Sequence, residues 1–182
     1  MRGHVGFVTV AAALASLASA GPAAGAAAPH AVAASIDTAV IARVVDGDTV
    51  VLADGRRVRL VQIDTPEVFS GLECFGPQAS SETRRLLPRG TKVKLVAEPA
   101  GASIDRYGRL LRYVVRSADG LNVNLRLVGD GAAAPYFYGG ERGRYAGRLE
   151  RLAQRARSAR RGLWGRCPST HYLPYDAVST GR

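Results

Sequence analysis

The chain has 182 residues and a formal net charge of +10, carried almost entirely by arginine. That length allows one domain with a real core plus export and tail segments, although alanine near the N-terminus inflates the 47% hydrophobic share. So basic a chain suits a polyanionic partner, either nucleic acid or an anionic membrane surface, or else reflects an arginine-rich genome.

Residues 1–20 read as a signal peptide. Arg2 gives a short positive start, Val5 to Ala18 an apolar run, and Ala18-Ser19-Ala20 a small-residue cleavage site, with a second candidate near Ala24-Gly25-Ala26. The run is shorter than the roughly twenty apolar residues of a membrane span, and no other segment could cross a bilayer. Residues 21–36 are an aperiodic Ala/Gly/Pro-rich linker. The protein is therefore expected to be secreted, extracellular or periplasmic. In that oxidising setting the two cysteines, Cys74 and Cys167, favour one disulfide over two free thiols. Their spacing makes a poor zinc site.

The folded domain is expected over residues 37–167. Three short runs come first: Ala39 to Val45, Asp48 to Leu52 after an Asp46-Gly47 turn, and Val58 to Ile63 after the Asp54-Gly55 hairpin signal. Asp64 to Cys74 reads as a loop. Gly76-Pro77 opens a helix that ends at Pro88 and Gly90, because a first-turn proline has no N–H to lose. Thr91 to Val96 and Gly108 to Arg116 are the fourth and fifth strands. Asn122 to Val128 is a short helix. Arg144 to Arg161 is a longer one, with Leu149, Leu152, Ala153 and Ala156 at helical spacing. Trp164 should pack on the body, and residues 168–182 read as a loose C-terminal tail. Short strands followed by helices predict an α+β fold, a five-stranded OB-type β-barrel with about three packed helices.

Three clusters could carry chemistry: Asp46-Gly47-Asp48-Thr49, the run Arg59 to Glu67, and Asp105-Arg106-Tyr107-Gly108-Arg109. Residues an odd number apart on a strand face opposite ways, so Arg59 and Asp64 converge only if the chain bends between them. Asp64, the Thr65 carbonyl and Asp48 make a plausible edge for a hard cation that prefers oxygen ligands. Phosphodiester hydrolysis needs such a mixture: a cation to neutralise the phosphate, a carboxylate to take a proton from water, and arginines to grip the charged oxygens. Singly, each cluster is as readily a turn, a helix start or a polar loop. The three histidines, His4, His30 and His171, lie outside the predicted core, which argues against a histidine-based mechanism.

The order and joint presence of these clusters resemble the staphylococcal-nuclease-like (thermonuclease) family. The carrying residues are Val45 to Val50, Arg59 to Glu67, Gly76-Pro77-Gln78-Ala79, and Asp105 to Arg109 followed by Leu110-Leu111-Arg112-Tyr113, and the match runs from about Ala39 to Trp164. The resemblance implies a calcium-dependent nuclease acting on DNA and RNA and leaving 3′-phosphates. By position it implies Asp48, Asp64 and the Thr65 carbonyl as calcium ligands, with Asp46 behind them. Glu67 would be the general base, and Arg59 and Arg109 the phosphate-binding catalytic arginines. Arg106 and Tyr107 would bind a terminal phosphate, with Tyr136 and Tyr138 bordering the nucleotide pocket and Phe137 in the core. A monomer is expected. Arg106 replaces the lysine of well-known members, the loop after Glu67 is short, and the cysteines have no counterpart in them.

Two other classes remain open on the sequence. One is a non-catalytic OB-type module that binds single strands. The other is a cationic envelope-binding protein using the basic helix from Arg144 to Arg161 on anionic lipid.

Overall fold

The computed structural model describes Gly3, residues 36–99 and residues 101–181. The predicted signal peptide and nearly all of the linker lie outside the described residues.

Five strands close into a barrel in the order β1-β2-β3-β6-β5. They are β1 (Ile36–Val44), β2 (Thr49–Leu52), β3 (Arg57–Leu60), β5 (Lys92–Val96) and β6 (Leu110–Arg116); the two-residue β4 (Ile63–Asp64) stands outside them. All neighbours are antiparallel except β3 and β6, which run parallel. β1 closes the barrel by serving two partners. Its first half pairs β5 from Ile36 opposite Val96 to Val40 opposite Lys92, and its second half pairs β2. The register shifts between Ile41 and Arg43, and an extra residue of this kind bends a strand from one sheet face to the next. Alternate residues fill the interior: Val50 and Leu52, Val58 and Leu60, Val93 and Leu95 are all buried. Each such side chain contributes about 1.5–3 kcal/mol relative to exposure.

Four helices follow or interrupt the strands: α1 (Gly76–Leu86), α2 (Val123–Gly129), α3 (Ala146–Ser158) and the short α4 (Leu163–Arg166). α1 starts at the predicted Gly-Pro and buries Ala79, Thr83 and Leu86. α2 is capped by the Asn122 side chain, which accepts from the Leu125 N–H at 3.1 Å. α3 is shorter than the predicted Arg144 to Arg161. At its start the Arg144 N–H is taken by buried Glu98 at 2.8 Å, and at its end Arg160 adopts φ 48. No helix among the described residues is long and apolar enough to cross a membrane.

Two departures shape the site. The predicted strand Val58 to Ile63 breaks after Leu60, because Gln62 turns through φ 62. The chain then re-pairs as β4 with β7 (Ala134–Pro135). The buried Tyr113 hydroxyl fixes this turn, lying 2.7 Å from the Gln62 side-chain oxygen and 2.9 Å from Glu98.

The second departure is the tail, which docks on the domain instead of hanging loose. Cys74, just before α1, is bonded to Cys167, just after α4, with Cα atoms 5.8 Å apart. Closing a loop of 93 residues limits the unfolded chain, an effect of roughly 4–5 kcal/mol in the chain-entropy treatment. Beyond the disulfide the Phe137 N–H donates to the Pro174 carbonyl at 2.7 Å, and Val178 and Thr180 are buried.

Candidate active site

The site lies where the β1–β2 turn meets the Gln62 bend. The turn is closed by the Val45 N–H on the Thr49 carbonyl at 2.8 Å and by the Asp48 N–H on the Asp46 carboxylate at 3.2 Å. Glycine is required at 47: a Cβ there would sit 2.5 Å from the Thr65 hydroxyl. α1 braces the same point, where the Thr83 hydroxyl donates to the Gly47 carbonyl. These contacts seat Asp48 against Thr65, whose N–H and hydroxyl both reach its carboxylate at 3.0 Å.

Arg59 is the centre of the group. The Gln62 bend carries Asp64 back to it, so the odd spacing along the chain no longer separates the two. Its guanidinium contacts Asp48 at 2.6 Å, Asp64 at 2.5 Å and the Ile63 carbonyl at 3.0 Å. That hydrogen-bonds two of its five N–H donors, to Asp64 and the Ile63 carbonyl, while Asp48 is held as an ion pair. Asp48 and Asp64 are both buried. Burial pushes the Asp48 carboxyl up to about 7; Arg59 opposes the rise, and Asp64 and Asp46 add to it. Burial also raises Asp64, against the pull of Arg59. Burial works against the Arg59 charge too, yet Asp48 and Asp64 hold it above its ordinary value. With both carboxylates ionised, two buried acids on one guanidinium leave the group one negative charge in excess, which a bound cation would balance. Among the described residues no group of three or more His, Cys, Asp or Glu side chains converges. A cation here would depend on Asp48, Asp64, the Thr65 carbonyl and water, a donor set of oxygens that suits calcium.

The arginine-tyrosine rim is built differently. The Asp105 carboxylate accepts the N–H groups of Tyr107 and Arg109, each at 2.9 Å, and the Arg109 side chain at 2.7 Å. Burial alone would raise Asp105, but these bonds hold its carboxyl below the usual range. The Tyr107 ring lies between two guanidinium groups, 4.8 Å from Arg106 and 5.3 Å from Arg109. Tyr136 is half-buried, and its phenol is raised by burial first and then by Asp64. Its ring is 6.3 Å from that of Tyr138, which is 76% exposed and acts on the Arg106 charge. Phe137, between the two tyrosines, is fully buried, so this β7-to-turn segment alternates as expected.

The structure thus brings together Asp46, Asp48, Arg59, Asp64 and Thr65, and separately Arg106, Tyr107 and Arg109, with Tyr136 and Tyr138 between. Among the described residues, neither the Glu67 carboxylate nor the Arg109 guanidinium bonds directly to the buried group. Glu67 is exposed, and its backbone is what is fixed: its N–H donates to the Glu73 carboxylate at 2.9 Å, and its carbonyl accepts from the Glu73 N–H at 3.0 Å. A Cβ at Gly76 would fall 2.5 Å from that carbonyl. Sequence reasoning gave no site role to Gln62, Thr83 or Glu73, and it named Asp105 in a cluster without a role of its own. Only Asp105 had a local signal, a carboxylate two and four residues ahead of the N–H groups it binds.

The family model described as staphylococcal nuclease homologue matches residues 57–166. The thermonuclease of Staphylococcus hyicus is 31% identical over 137 residues, covering 72% of this chain and 78% of that protein. The thermonuclease of Staphylococcus intermedius is 31% identical over 134 residues, covering 70% and 76%. A protein named uncharacterized endonuclease from Escherichia coli O157:H7 is 37% identical over 127 residues, covering 68% and 74%.

Proposed function

The chain belongs to the staphylococcal nuclease homologue family, and on that premise we propose a calcium-dependent mechanism for its hydrolysis of phosphodiesters in nucleic acid. The observation that supports it best is the buried pair Asp48 and Asp64 on the single guanidinium of Arg59. Asp48, Asp64 and the Thr65 carbonyl would hold the cation, with Asp46 orienting the turn behind them. Once bound, it would neutralise charge on the phosphate and help orient the attacking water.

The remaining work falls to the chain. Glu67, exposed beside the group, takes the proton from that water as general base. The uncommitted donors of Arg59 and the guanidinium of Arg109 grip the phosphoryl oxygens as negative charge builds on them. The bond from phosphorus to the 5′-oxygen breaks, that oxygen takes a proton from solvent and departs as a 5′-hydroxyl, and a 3′-phosphate remains. Arg106 and Tyr107 hold a neighbouring phosphate, and bases stack on Tyr136 and Tyr138 with little sequence preference. Both DNA and RNA are substrates in this reading. The disulfide fits an oxidising compartment, so export by the N-terminal signal peptide and action outside the cytoplasm belong to the same proposal.

The test is release of acid-soluble nucleotides from DNA and RNA with calcium, with magnesium and with excess chelator. Turnover should appear with calcium and vanish on chelation, and end-group analysis should find 3′-phosphates. Full activity in excess chelator would sink the cation assignment.

A further inference from the structure

The segment after the last helix forms a closed loop whose two ends meet at one residue. Cys74 takes the start of the loop covalently, through Cys167. It takes the end through its backbone: its N–H donates to the Gly181 carbonyl at 2.7 Å, and its carbonyl accepts the Thr180 hydroxyl at 2.5 Å. Between these ends, His171 and Ser179 exchange backbone bonds at 2.7 and 3.1 Å. A surface loop with joined ends and its own internal packing can act as one rigid piece.

This loop reaches the site at two points. The Val178 N–H donates to Asp64 Oδ2 at 2.9 Å, in a place where Val178 is only 3% exposed. Arg59 holds the other oxygen, Oδ1, at 2.5 Å. Asp64 is therefore gripped from opposite sides, by the barrel and by the loop. Next to Val178, the Ser179 hydroxyl donates to Glu73 Oε1 at 2.8 Å, while Glu73 Oε2 accepts the Glu67 N–H. A charge-assisted bond from a buried amide is short and directional, and it restricts the rotation of the carboxylate it meets.

We propose that residues 168–181 are a positioning loop, clasped at Cys74, that fixes Asp64 for its cation through the Val178 N–H. The proposal rests on the cation reading given above. It sets no new chemical step. Its effect is on how tightly the cation is held, because a carboxylate already aimed loses less freedom when it binds.

Calcium binding to the full chain is measured by titration calorimetry for wild type, Val178→Pro and Val178→Ala. Proline removes the N–H; alanine keeps it and trims the side chain. Val178→Pro should weaken calcium binding about tenfold, the scale of one hydrogen bond to a charged group. Val178→Ala should stay within about twofold of wild type, and kcat at saturating calcium should be near wild type in both. A wild-type measurement covers the case in which Val178→Pro does not fold. Binding linkage is reciprocal, so saturating calcium should slow hydrogen exchange at the Val178 amide. Equal calcium affinity in Val178→Pro and wild type, equal losses in the proline and alanine variants, or exchange at Val178 that ignores calcium each overturns the positioning role. Wild-type protein that takes up no calcium overturns the cation reading itself, a different result from wild type that binds and a proline variant that binds equally well.

Discussion

Arg59 and Arg109 are both paired with aspartate near the same end of the barrel, yet what surrounds them differs. Arg59 is ion-paired to two buried carboxylates, Asp48 from the β1–β2 turn and Asp64 from β4, and its own side chain is 14% exposed. Arg109 answers one carboxylate from its own turn, four residues back, and that carboxylate keeps two backbone N–H partners besides. One arginine is part of the protein's internal charge balance. The other is held within its own local turn. Two groups assigned the same catalytic duty should therefore fail in different ways when removed.

The largest effect is expected at Arg59. Arg59→Ala should lower kcat about a hundredfold or more, the usual loss for a donor to the transition state. It should also cost about 3–5 kcal/mol of stability, because it strands two buried carboxylates. A urea melt beside single-turnover kinetics reads both, and an unchanged urea midpoint would break the distinction. Sequence alone gives no sign of this double load: it marks Arg59 as a phosphate-binding arginine, not as the partner of two buried carboxylates.

Arg109→Ala should lower kcat about as much while shifting stability by no more than about 0.5 kcal/mol, since Asp105 remains hydrogen-bonded without it. Glu67→Gln belongs with Arg109: the side chain is exposed and only its backbone is tied down. Normal turnover in either variant would remove that residue from the mechanism.

The same two regions should respond to pH with opposite sign. The folded chain raises Asp48 from 3.8 to about 7, so it holds that proton more tightly than the unfolded chain does. The stability this group adds is complete below about 3.8, and it is lost as pH rises through about 7. Asp105 is lowered, so its contribution is present above the ordinary carboxylate range and is lost as pH falls through it. In chelated protein, the stability gap between wild type and Asp48→Asn should widen against wild type as pH rises from 5 to 8. The gap between wild type and Asp105→Asn should instead close on acidification. Parallel pH curves for the two variants would show that the buried group and the rim do not differ in charge balance.

Most of the barrel was legible in advance, because β2, β3, β5 and β6 announce themselves by alternation and by turn residues such as Asp54-Gly55. The start of α1 was equally plain from Gly76-Pro77. Long-range contact was what stayed hidden. Nothing local marks Gln62 as the bend that returns Asp64 to Arg59; its positive φ is held from a distance by Tyr113, whose hydroxyl meets its side chain at 2.7 Å. The tail gave even less sign. Residues 168–181 have no periodicity to read, and they are held by the neighbouring disulfide and a few hydrogen bonds to distant residues. The residues gathered around Arg59 stood in two of the sequence clusters, but nothing in the sequence grouped Arg59 apart from Arg109.

The smallest effect sharpens the contrast from the rim side. Tyr138 is 76% exposed, and its ring meets that of Tyr136 with centroids 6.3 Å apart. Its removal should leave both the fold and the chemical step alone, and should weaken only the hold on substrate. Base stacking on an aromatic face contributes about 1–3 kcal/mol, and at an exposed ring the low end applies, which corresponds to a rise in KM of about fivefold. Tyr138→Ala should therefore raise KM on single strands with kcat unchanged, and Tyr138→Phe should restore it, because the stacking face is the ring and not the hydroxyl. A duplex offers no unpaired base, so the same substitution should matter less there. An oligonucleotide with an abasic site at the stacked position should erase the difference between wild type and Tyr138→Ala. If the abasic substrate still tells the two proteins apart, the ring is acting through Arg106 or Tyr136, and the rim is then as interdependent as the buried group around Arg59.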